Sequence, residues 1–213
     1  MLSAALDSAA ILAPAPGSYR YEAFINGKTV GKNRLTLIQT ANGIKIDESS
    51  TANLETGDSK AATTMLLDPN LNITAYTGTY TALDATMKAV VEFNGREATI
   101  TAGHDKQTIP LGGSSKGFVI LDSALVSGFF MLPAQMRANA NGDSTVLVPG
   151  TGGSAFIDVI PGDKPARPAD VPQRDASLSF AGDGPFVEWY DPQTLIVDEV
   201  ALPGQNLIIK RKR

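Results

Sequence analysis

The 213-residue chain has no cysteine and a single histidine, His104, and these two scarcities remove whole classes of chemistry. Without cysteine there is no thiol nucleophile, no zinc–thiolate site and no iron–sulfur cluster, while either redox compartment stays open. One imidazole cannot form a two-histidine metal site and leaves a single imidazole base, so no metal or cofactor is expected. No run of about 18 apolar residues occurs, which excludes a membrane-spanning helix. Cations are outnumbered too: 18 Lys and Arg stand against 22 Asp and Glu, a net charge of −4, so no nucleic-acid partner is expected. The local exception is the all-basic ending Lys210-Arg211-Lys212-Arg213. It reads either as the charged end of an edge strand or as a peripheral contact for an anionic envelope surface.

What is abundant is turn chemistry between alternating segments. Asn26-Gly27, Asn42-Gly43, Asn94-Gly95 and Asp183-Gly184 each separate two runs with the period of two expected of strands. Such dipeptides accept the positive φ of tight hairpins. In Ser18 to Asn26, residues Tyr19, Tyr21, Ala23 and Ile25 share one face, which seeks a core. Strands are likewise expected over 29–39, 44–52, 60–68, 73–83, 87–93, 96–102 and 118–121. Six more follow, over 144–149, 155–160, 175–180, 186–190, 195–202 and 206–213. Asp68-Pro69-Asn70-Leu71-Asn72 supplies a longer turn, and Pro161 to Gln173, with four prolines, reads as a surface loop.

One helix interrupts the strands. Leu125, Phe129, Leu132 and Met136 recur at helical spacing after a cap at Asp122 or Ser123, and Pro133 is expected to kink or end the regular part. Val126, Phe130 and Met131 lie off that stripe, so the helix is apolar on more than one side and must be buried twice or plug an opening. The fold expected is therefore all-β and mainly antiparallel. It is a strongly curved sheet or open β-barrel of roughly ten or more strands, with one helix packed in or across its mouth. Residues 18–213 are expected to form one domain, and residues 1–17 read as the ragged N-terminal start of a mature chain, compatible with removal of a signal peptide.

Motifs with catalytic precedent fail on context. Gly113-Ser114-Ser115-Lys116-Gly117 matches a nucleophile elbow, but an extended run follows it rather than a helix and no histidine comes after Ser115. Gly27-Lys28-Thr29 lacks the glycine a phosphate-binding loop needs upstream. Asp68, Asn70 and Asn72 open like a calcium loop that Ile73 and Thr79 do not continue. Asn72-Ile73-Thr74 is a lone glycosylation sequon without weight. The adjacent pairs Asp47-Glu48 and Asp198-Glu199 point to opposite strand faces and are expected to be solvated. His104 beside Asp105, with Asp122, supplies the acid or base of an enzymatic alternative that needs no metal.

Tyr19-Arg20-Tyr21-Glu22, Asn26-Gly27-Lys28 and Val30-Gly31, with Trp189-Tyr190-Asp191-Pro192 and Leu202-Pro203-Gly204-Gln205, resemble a family of bacterial secreted or periplasmic β-rich domains of unknown function. The resemblance implies an extracytoplasmic location and a curved antiparallel sheet with one helix, and it supplies no catalytic residues. The function expected is non-catalytic binding of a small apolar or lipid-like ligand in a cavity of the sheet, lined by Tyr76, Tyr80, Val126, Phe129, Phe130 and Trp189. A structural or protein-docking module of the cell envelope is the remaining alternative.

Overall fold

Asn26 and Gly27 adopt φ of 50° and 76°, two successive positive values that only a tight hairpin turn needs, and they join β1 (Gly17–Ile25) to β2 (Lys28–Thr40). The meander continues through β3 (Gly43–Leu54), β4 (Gly57–Leu67), β5 (Ile73–Ala82), β6 (Ala85–Asn94), β7 (Glu97–Ala102) and β8 (Asp105–Pro110). In this computed structural model residues 13–54, 57–83, 85–112, 117–122, 125–139 and 143–213 are described. Met1 to Leu12, residues 113–116 of the Ser115 motif and the Ser123 cap lie outside them. After β9 (Gly117–Ile120) come helix α1 (Ser127–Ala138), β10 (Ser144–Val148), β11 (Gly153–Val159), β12 (Ala176–Gly182), β13 (Phe186–Tyr190), β14 (Val197–Leu202) and β15 (Leu207–Arg211).

All fifteen strands belong to one sheet in the order β8-β7-β6-β5-β4-β3-β2-β1-β15-β14-β13-β12-β11-β10-β9. Every pairing is antiparallel except β9 with β10, which is parallel because α1 crosses between them. The chain termini thus meet in the middle of the sheet. This corrects the expectation of a C-terminal edge strand: β15 is held between β1 and β14, and the edges are β8 and β9. Strand β8 escaped the sequence reading because only Ile109 in it is buried, so no alternation marks it.

The sheet is open but its two ends lap. The rings of Phe93 in β6 and Phe118 in β9 lie 5.6 Å apart, and the Gly112 amide donates to Thr145 Oγ1 at 2.9 Å. Curling of this kind is what a twisted sheet of more than about ten strands does to avoid a flat, exposed face. Inside it sits α1, with every residue from Ser127 to Met136 buried. Phe130 packs on Tyr19 and Tyr21 of β1 at centroid distances of 4.7 and 6.3 Å, and Phe129 meets Phe186 of β13 edge-on at 5.3 Å. Gly128 abuts β9 so closely that a Cβ there would stand 1.6 Å from the Ile120 carbonyl oxygen. Pro133 does not end the helix, which runs on to Ala138. Burial on all sides outweighs the single N–H that proline withholds. This helix is too short to cross a membrane, and no other helix among the described residues could do so.

Candidate functional site

The N-terminus of α1 has no capping side chain of its own: Val126 occupies the cap position, which overturns the expected cap at Asp122 or Ser123. The carboxylate of Glu48 in β3 does that work from across the core. The amides of Val126 and Ser127 donate to Glu48 Oε1 and Oε2 at 2.7 and 2.8 Å, and Asn33 Nδ2 donates to Oε1 at 2.9 Å. A negative group there also meets the positive end of the helix dipole. Glu48 is thus buried, against the solvated face expected of the Asp47-Glu48 pair. Desolvation pushes its carboxyl above the ordinary range, while the bonds from Val126, Ser127 and Asn33 pull it back.

Beside this cap, Tyr76 and Tyr80 of β5 share a hydroxyl–hydroxyl bond of 2.5 Å. Burial raises both phenols far above their usual range, and the nearby charge of Asp122 adds to the shift. Both hydroxyls therefore stay neutral and serve as hydrogen-bonding groups. The expected lining residues Tyr76 and Tyr80 and the expected acid or base Asp122 are therefore brought near one another in a polar cluster. His104 is exposed in the β7–β8 turn and Asp105 is exposed at the start of β8.

Of the six expected lining residues, Phe129 alone borders an apolar cavity. That space, about 190 Å³, lies between α1 and the inner faces of β10, β11, β13 and β14, with Val146, Val148, Ile157, Phe186 and Leu202 around it. The exposed Asp183, Gly184 and Gln205 mark where it opens to solvent. Val126 and Phe130 are fully buried in the core. Trp189 sits on the face of β13 turned away from Phe186, next to Glu199 of β14, and is buried apart from the main core.

Near Trp189 and Glu199 the proline-rich loop is fastened down by charge. Lys210 Nζ bridges Asp170 at 2.6 Å and Glu199 at 3.2 Å, and Arg167 donates to the carbonyls of Pro172 and Asp175. Arg211 and Arg213 hold Asp198 at 3.2 and 3.3 Å, and Lys212 holds Glu22 at 2.9 Å. The four terminal cations are thus each ion-paired, and Asp198 and Glu199 are buried where solvated faces were expected. Strand parity correctly separated each acidic pair, but it could not say that both faces of β14 are covered.

Asp175 is buried with neither oxygen accepting a hydrogen bond, and its carboxyl is raised to about 6, first by desolvation and then by Asp198. Buried without a partner and beside a second carboxylate, Asp175 keeps its proton to a higher pH than it would in water. The unfolded chain therefore releases this proton near pH 3.8 and the folded chain near pH 6, so Asp175 lowers stability progressively as pH rises through that window. Asp175→Asn is expected to remove the decline and to gain about 1–2 kcal/mol at pH 7, with no gain at pH 3.5. Urea unfolding across that range checks it. A variant that tracks the parent at every pH would show that Asp175 titrates normally.

Comparison with known proteins adds one finding. A crystal structure of a DUF1089 family protein from Pseudomonas aeruginosa has the same fold. The two share 10% sequence identity with a TM-score of 0.52, and the match covers 96% of each chain. No family model matches the chain, and no curated protein does. At that identity the likeness concerns architecture: a bacterial domain of a family without assigned function has the same arrangement of strands and helix over its whole length.

Proposed function

We propose that the protein is a non-catalytic, extracytoplasmic binding domain that holds an apolar or lipid-like ligand by one chain or ring beside Phe129. The observation that carries this reading is the apolar cavity between α1 and β10–β14 with its polar, exposed opening. A dry, apolar wall with polar groups confined to the mouth is the usual design of a site that takes hydrophobic ligands. The volume of about 190 Å³ equals the share of roughly six waters in the liquid, below the roughly 300–1,000 Å³ of sites that enclose a whole ligand. The cavity therefore takes the end of a ligand, and the remainder lies at the mouth near Gln205.

Binding of the dye N-phenyl-1-naphthylamine tests this reading. Ala155 lines the cavity, and Ala155→Phe fills it. The variant is expected to keep or raise the thermal midpoint and to weaken dye binding by about tenfold or more, or about 1.4 kcal/mol. A parent protein that does not bind the dye, or a variant that binds it equally well, would refute the proposal. Either result would favour the structural alternative, whose support is the dense filling of the rest of the interior by α1.

A further inference from the structure

The outer face of β1, β2 and β3 runs against the electrostatic grain of the molecule. A chain of net charge −4 presents there a shallow groove of about 350 Å³ bordered by Arg20, Lys32, Arg34 and Lys212, with Glu22 the one carboxylate among its lining residues. Arg20 and Arg34 are directly opposite each other in the β1–β2 register, both exposed, and among the described residues neither forms an ion pair with a carboxylate. Like charges in that position destabilise a sheet, so the arrangement is a local cost to the fold. The carboxylates on the neighbouring strands of this face are already held: Asp47 by Lys45 at 2.8 Å and Asp58 by Asn53 at 2.6 Å. Lys60 of β4, opposite Thr51, extends the row of cations.

We propose that this face docks on an anionic lipid surface through Arg20, Lys32, Arg34, Lys60 and Lys212. The cations span the adjacent strands from β15 to β4, about 19 Å at the usual strand spacing, too wide for one phosphate to neutralise. The side chains stand on one face of the sheet, where the carboxylates Glu22, Asp47 and Asp58 are each already bonded, so a plane of headgroups meets more cations there than carboxylates. A nucleic acid extending beyond the cluster would meet a chain whose net charge is −4. A cluster of this size is in the range that holds peripheral proteins to anionic leaflets. The inference does not depend on the apolar cavity, whose test uses a dye and no membrane.

Co-sedimentation with vesicles of phosphatidylglycerol and phosphatidylcholine in equal parts tests the assignment, with phosphatidylcholine vesicles, inorganic phosphate and double-stranded DNA as comparisons. The parent is expected to bind the mixed vesicles alone and to be released by salt, since screening shortens the field to about 10 Å at 0.1 M. Arg20→Glu with Arg34→Glu should weaken binding by about 30-fold or more. Lys106→Glu with Lys164→Glu alters net charge equally at exposed positions off this face and should leave most of the binding intact. Arg20→Glu alone should weaken vesicle binding yet raise the thermal midpoint slightly, because it replaces a like-charge pair with an opposite one. Absence of vesicle binding by the parent, equal losses in the two double variants, or equal affinity for DNA or free phosphate would overturn the assignment.

Discussion

Phe130→Asp is expected to abolish folding. The ring is wholly buried between Tyr19 and Tyr21, and the neighbouring residues of α1 are buried with it. Truncating such a ring costs about 3–5 kcal/mol through lost transfer energy and the cavity left behind. An unpaired carboxylate in its place adds several more, and the sum equals the whole stability of an ordinary domain, about 5–15 kcal/mol. Circular dichroism should show loss of the strand signal and of the cooperative thermal transition. Phe130→Leu, which removes volume without adding charge, should fold and lose about 1–3 kcal/mol. A folded Asp variant would mean that this side of the helix faces wet space and that the ligand cavity extends to Phe130.

Glu48→Ala should lose about 3–5 kcal/mol, more than almost any other change at a polar position. It removes from the core the acceptor shared by the Val126 and Ser127 amides and Asn33 Nδ2. Glu48→Gln keeps the shape and one acceptor but turns its own amide donors toward those amides, so an intermediate loss of about 1–3 kcal/mol is expected. Urea unfolding orders the three proteins. Hydrogen exchange localises the effect, because amides of α1 should exchange first if the helix loses its anchor before the sheet opens. Equal stability of the Ala variant and the parent would show that another group caps the helix. Since α1 forms one wall of the apolar cavity, the Ala variant should also bind the naphthylamine dye more weakly.

The site was partly legible in strand parity. Ile44, Ile46 and Glu48 share one face of β3, and Phe186 and Glu188 share one face of β13, so each carboxylate was marked for the interior by its apolar neighbours. Glu188 is fully buried without a hydrogen-bond partner, and desolvation raises its carboxyl well above the ordinary range. The general preference for solvated acids hid both residues. Adjacency in sequence was the wrong guide: in Asp47-Glu48 one residue pairs with Lys45 outside while the other caps a helix inside.

Local chemistry was enough to specify the helix and every strand but β8, whose single buried residue leaves no alternation. Alternation, Asn-Gly turns and the apolar stripe of α1 act within a few residues, and they exclude metal–thiolate and imidazole-pair chemistry by composition alone. Three things were beyond their reach: the central place of β15, the lapping of β6 on β9, and the cap that Glu48 extends to a helix 78 residues away. Each depends on how far one fifteen-stranded sheet curls before its ends meet. That curl is a sum of small twists over all the strands, so no single stretch of sequence carries it.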